Sequence, residues 1–168
     1  MITLTLPYPI SSNRYWRPVP IGKHITIVPT KEAKDYKKLV ASYCHVAGIR
    51  KPIEGRVSIA VQLYPQRPQD WAKRARDLGA AWDDGVRCID LDNANKVLLD
   101  ALKGVAIVDD GWQVRSLHSD RMEPDGEARV VVRITPLHVE QAQPSLIADL
   151  PVLKVPPRNQ ADDRWTTF

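Results

Sequence analysis

Between Cys88 and Val114 the chain places Asp90, Asp92, Asp100, Asp109 and Asp110, with Lys96 among them. Carboxylates gathered this closely repel one another, and the usual compensation is a bound cation or a catalytic task. Asp90 and Asp92 are spaced as on an extended segment entering a helix, and Lys96 follows Asp92 by one helical turn. Asp109 and Asp110 return after a short loop. Three carboxylates converging this way make an oxygen-ligand site for Mg²⁺, which keeps several waters and takes phosphate oxygens from a substrate. Lys96 would then neutralise a phosphate or polarise a water beside the metal. A plainer reading stays open: acids at a helix N-terminus suit its dipole, and the second pair is an acidic turn.

The helix that must present these groups is written in "DNANKVLLDALKG", residues 92–104, with Asp92 as N-cap and Gly104 as the stop. Ala94, Val97, Leu98, Ala101 and Leu102 share one face and are expected to bury against a sheet. Asp92, Lys96, Asp100 and Lys103 take the opposite face. Leu99 lies apolar on that polar face, which points to a subunit contact.

The sheet is expected from "ITLTLP" (residues 2–7), "HITIVP" (24–29) and "GRVSIAVQLYP" (55–65), all with period-two alternation. Two further extended runs, 113–122 and 128–135, flank "EPDGE" and read as a β-hairpin. The segment "PYPISSNRYWRPVPIGK", with four prolines, reads as irregular. A helix is expected over residues 31–46, capped by Thr30 and stopped by Gly48, with Ala33, Tyr36, Leu39, Val40 and Tyr43 as its apolar stripe. Residues 66–87 read as an inserted loop or short helix, and the chain from 137 to 168 as a proline-rich tail. The fold class is therefore α+β: a domain over residues 1–136 with a mixed sheet and two helices packed on one side, near β-β-α-β-α-β-β.

At 168 residues, 43% of them hydrophobic and 26% charged, the chain suits one domain with a real core. No apolar run approaches membrane-spanning length, and no basic stretch followed by an apolar one precedes the first strand. Two cysteines fit neither a disulfide scaffold nor a zinc site, so a reduced, cytoplasmic protein is expected. Charge is unevenly placed. Residues 1–82 hold 14 Lys and Arg against 5 Asp and Glu, and residues 83–127 hold 5 against 11. A basic body around an acidic cluster suits a protein that grips a polyanion and does metal chemistry on it. Asn13, Arg14, Tyr15 and Arg17, beside Trp16, are the groups expected to touch phosphate or bases, joined by Arg67, Lys73, Arg74 and Arg76 of the inserted segment.

"DLDNANKVLLDAL" followed by "VDDGWQV", with "LPYPISSNRYWR" near the N-terminus, resembles the RusA family of Holliday junction resolvases. The resemblance implies a Mg²⁺-dependent endonuclease, with Mn²⁺ able to substitute, acting as a homodimer on branched, four-way DNA in recombination and repair. By position it implies Asp90, Asp92 and Asp110 as metal-binding acids, Lys96 as the essential lysine, and Asn93, Asp100 and Asp109 in support. Residues 66–87 are longer than the family's compact basic loop, and the tail exceeds its core, which bears on substrate preference. Two other classes remain as alternatives. One is a DNA-binding module without catalysis. The other is a haloacid-dehalogenase-like phosphotransferase, which "CIDLDN" also resembles, but that fold needs its nucleophile near the chain start and more chain after it.

Overall fold

The structure is a computed structural model that describes residues 1–138, and Met1–His138 form one compact unit. The tail expected from residue 137 lies, past His138, outside the described residues. Six strands and four helices follow one another as β1 (Ile2–Pro7), β2 (Trp16–Ile21), β3 (His24–Pro29), α1 (Lys31–Val46), β4 (Val57–Tyr64), α2 (Trp71–Leu78), α3 (Leu91–Leu102), α4 (Asp110–Gln113), β5 (Val114–Arg121) and β6 (Arg129–Pro136). The main sheet has the order β1-β6-β4-β5, and β2 with β3 makes a separate two-stranded ribbon. The expected α+β class is what the fold shows.

Period-two alternation builds the core in rows. Ile2, Ile134 and Ile59 lie side by side across β1, β6 and β4, as do Leu4, Val132 and Val61, and then Leu6, Val130 and Leu63. Apart from the partly buried Ile2, all of these are buried, whereas the opposite face of the sheet carries Thr3, Arg133 and Gln62. The helices α1 and α3 therefore cover one side only. α1 meets the sheet through Ala33, Tyr36, Val40 and Cys44, with Thr30 Oγ1 accepting from the Ala33 N–H as N-cap. Leu39 and Tyr43, expected in that stripe, are each 44% exposed, because spacings of three and four from Ala33 carry the buried line through Val40 to Cys44 instead.

Two sequence expectations fail here. β5 and β6 are not a hairpin. β4 lies between them, parallel to β5 and antiparallel to β6. β4 buries Val57, Ile59, Val61 and Leu63 completely or nearly so, and such a strand is most stable with both edges paired. The connection 122–128 steps over its end, where Met122 N–H donates to Leu63 O and Arg67 N–H to Gly126 O. The segment "WRPVPI", expected to be irregular, is β2. Its prolines stand two apart, so both missing N–H groups fall on the outer edge of the ribbon, where no ladder bond is lost. Gly22, at φ 60°, makes the tight turn to β3.

β4, α3 and β5 form a crossover between parallel strands, so α3 runs antiparallel to them. Its N-terminus stands at the carboxyl end of β4 and its C-terminus at the start of β5. The five residues predicted for its buried face, Ala94, Val97, Leu98, Ala101 and Leu102, are the buried ones. Leu99 is a correction. It is half-buried and packs against the core rather than standing apolar on the polar face, the sheet-facing surface being wide enough to reach it.

Candidate active site

α3 begins two residues earlier than its pattern suggested. Asp90 is the N-cap, extended at φ −62° and ψ 141°, and Asp92 falls in the first turn. The Asp90 side chain makes no capping bond, although capping is what an N-cap aspartate ordinarily does. Its Oδ2 accepts instead from Asn93 Nδ2 at 3.2 Å, and Asn93 Oδ1 accepts from the Ser12 hydroxyl. Ser12 belongs to the 3-10 turn Ser12–Arg14 that follows β1, so a relay from the N-terminal segment orients Asp90.

Just upstream, Tyr8 fixes the backbone. Its hydroxyl accepts from the Ile89 N–H at 3.1 Å and shares a hydrogen bond with Cys88 Sγ at 3.3 Å. Burial, and after it the Cys88 contact, pushes the Tyr8 phenol up to about 12, so the hydroxyl stays protonated. Asp92 and Lys96 are exposed on successive turns, and Lys96 forms no ion pair with a described residue.

A cleft of about 840 Å³ opens beside Asp90 and Asn93, walled by Asn13, Arg14, Arg74 and Arg87. Of these cations Arg14 bonds Glu32 at 2.7 Å and Arg74 bonds Asp70 at 2.9 Å, while Arg87 is exposed. Arg17 is exposed on β2, Lys73 and Arg76 are exposed on α2, and Arg67 stacks over the Trp71 ring at 4.9 Å. Tyr15 does not face DNA. It is 1% exposed, a core ring whose hydroxyl has no partner among the described residues. Burial, and then the nearby charge of Asp100, pushes that hydroxyl up to about 12. The inserted segment is packed rather than loose. Trp82 is buried and donates to Glu123 at 2.9 Å, and Arg121 donates to the carbonyls of Asp83 and Val86.

The second acidic pair stands elsewhere. Asp109 caps the short α4, accepting from the Gly111 N–H at 2.8 Å, and Asp110 is its first residue. Both carboxylates are held by Lys103, the C-cap of α3, at 2.5 Å and 3.0 Å. That ammonium holds Asp109 below the usual carboxylate range. Buried Gln113 fixes the turn by accepting from the Val108 and Asp109 N–H groups and donating to Ile53 O. Asp90 and Asp92 thus sit at one end of α3 and Asp109 and Asp110 at the other, with about 18 Å of helix between them at 1.5 Å per residue. Among the described residues no three Asp, Glu, His or Cys side chains are grouped to hold a metal ion. The expected convergence of three carboxylates is therefore not found within one chain. The crossover that makes α3 span the sheet keeps the pairs apart.

The Asp90–Asp92 end still fits a hard cation by its donors. Two carboxylates free of capping duty are oxygen ligands, and Mg²⁺ binds through one or two carboxylates plus waters and phosphate. Tyr8, Ser12, Lys103 and Gln113 were not singled out from sequence. Ser12 and Tyr8 lie within "LPYPISSNRYWR", but their partners are 81 residues away in the chain. No curated protein matches the chain. The family model for endodeoxyribonuclease RusA matches residues 7–135, a span that runs from the end of β1 into β6 and contains both acidic pairs. The chain belongs to the RusA family of endodeoxyribonucleases.

Proposed function

We propose that the protein is a Mg²⁺-dependent endonuclease that resolves four-way DNA junctions by paired symmetric nicks, acting as a homodimer in cytoplasmic recombination and repair. The observation that carries this reading is the Asp90 side chain. It stands at a helix N-cap yet is turned from capping and held by the Ser12–Asn93 relay beside an arginine-walled cleft. A purely structural aspartate would accept from the helix N–H groups.

Asp90 and Asp92 are the residues that would hold the metal, which when bound would activate water and offset phosphate charge. Lys96, one turn further, meets the scissile phosphate with its exposed ammonium. Arg14, Arg74 and Arg87 hold the strand along the cleft through phosphate contacts. Asp110 joins such a site only from a second copy, since α3 holds it at the far end of its own chain. Two copies about a two-fold axis match the two-fold symmetry of the junction.

The test is a synthetic four-way junction incubated with protein. Symmetric nicks in Mg²⁺ or Mn²⁺, abolished by EDTA, are expected. Binding that needs no divalent ion, with no cleavage at any metal concentration, would instead identify a DNA-binding module.

A further inference from the structure

Trp71 opens α2 in the inserted segment and stays 40% exposed, although two neighbours hold its ring in place. The Arg67 guanidinium lies 4.9 Å from the ring centroid, and the Trp82 ring stands 6.3 Å away, tilted by 57°. Trp82 is itself buried and tied to Glu123, so the support is firm. Arg67 is fixed through its backbone, whose N–H donates to Gly126 O, and next to it Gln66 Oε1 accepts from the Ala128 N–H. The Arg67 guanidinium forms no ion pair with a described residue. The pair is thus a held, solvent-facing stack of a cation on an indole.

This stack stands at the rim of the arginine-walled cleft. Arg74, three residues on and so on the same side of α2 as Trp71, lines that cleft. Gln66 and Pro68 line the cleft and also a second, open recess of about 410 Å³, whose walls include Arg67, Gln69, Trp71 and Glu127. The two hollows differ in charge. Three arginines and one aspartate line the cleft, whereas the recess has a single cation, already laid over a ring, and the exposed carboxylate of Glu127. That carboxylate repels a phosphate. It accepts from the N–H groups of a base edge, and the face of the same base can lie against indole or guanidinium. Bases inside a duplex are stacked on both faces already, so only an unpaired one can enter.

We propose that the Trp71–Arg67 stack receives an unpaired base of the DNA strand whose phosphates run along the cleft. The inserted segment then selects DNA with unpaired nucleotides beside the bound strand. This rests on the reading of the cleft as a DNA site, and on neither the metal nor the cut. Trp71 determines specificity: it touches substrate and takes no part in the reaction.

The experiment is fluorescence anisotropy on the full chain without divalent metal, with circular dichroism to verify the fold of each variant. The probes are a labelled oligothymidine of about 12 nucleotides and a blunt duplex of the same length. Trp71→Ala is expected to weaken oligothymidine binding about tenfold through the lost stacking. Duplex affinity should stay within about twofold and both salt slopes should hold, since no charge is removed. Trp71→Phe keeps a ring and should recover most of the loss. Equal weakening on both probes would overturn the proposal, because Trp71 would then only shape the cleft. No change on either probe, or a Trp71→Phe protein as weak as Trp71→Ala, would overturn it as well. A wild type that binds neither probe would remove the DNA reading of the cleft, and this inference with it.

Discussion

The Lys103 ammonium stands 3.0 Å from Oδ1 of Asp110 while it also holds Asp109, so the second acidic pair carries its own internal cation. Hydrogen bonds to Asp109 and then Asp110 raise the Lys103 ammonium well above its ordinary value of 10.5, and Asp109 is lowered from 3.8 chiefly by the same contact. A raised lysine stabilises the fold below its ordinary value and loses that contribution as pH rises through the raised one. A lowered aspartate stabilises above its ordinary value and loses it as pH falls through the lowered one. Lys103→Met is therefore expected to lower Tm slightly between those two ordinary values. The deficit should shrink in stronger acid and in stronger base, as thermal unfolding across pH will show. A deficit independent of pH would mean that Lys103 acts by packing.

Asn93 Nδ2 donates to Asp90 at 3.2 Å, and in the proposed site it acts through that carboxylate. Asn93→Ala should leave the fold and junction affinity close to wild type while lowering kcat about tenfold, since a misplaced catalytic group costs rate rather than binding. Ser12→Ala should show the same split in weaker form. A change confined to KM would place Asn93 in contact with DNA instead.

Leu99 packs against the core. Leu99→Asp should cost about 1–3 kcal/mol of stability by placing a carboxylate against apolar neighbours, with no change of mass in the protein that remains folded. Urea unfolding and light scattering separate this from an interface role, in which mass would fall and stability per chain would hold.

If Asp110 serves the site of a second copy, two dead variants should rescue one another. In a mixed dimer of Asp92→Asn and Asp110→Asn chains, one site draws both altered residues and the other draws neither. Random pairing of equal amounts then restores about a quarter of the wild-type sites, seen as single nicks rather than paired ones. Co-refolded mixtures with no activity would place Asp110 outside a shared site.

Local patterns in the sequence carried much of the fold. Apolar spacing named all five buried residues of α3, and Thr30 and Gly48 marked the ends of α1. What escaped was set by pairing at a distance. β4 inserts between β5 and β6 because its wholly apolar face and two free edges outbid an Asp-Gly turn, and β2 exists only because β3 lies beside its prolines. The site divides the same way. Asp90, Asp92, Asn93 and Lys96 are visible as one helical start, whereas Ser12 reaches Asn93, and Tyr8 the backbone of Ile89 just upstream, from the segment that follows β1. That Asp110 lies at the far end of α3 follows from the crossover, which spacing along the chain does not reveal.

The central claim is that Asp92 is spent on catalysis and not on holding the helix, and cleavage of a four-way junction by folded Asp92→Asn protein in Mg²⁺ tests it most directly. Asp92 lies in the first turn, where Asn forgoes only a charge–dipole attraction of about 0.3–1 kcal/mol, so a structural role predicts near-normal cleavage by the folded protein. The catalytic reading predicts cleavage lower by about two orders of magnitude or more, with metal-free junction affinity equal or improved because a charge repelling phosphate has gone. Cleavage at the wild-type rate would contradict it.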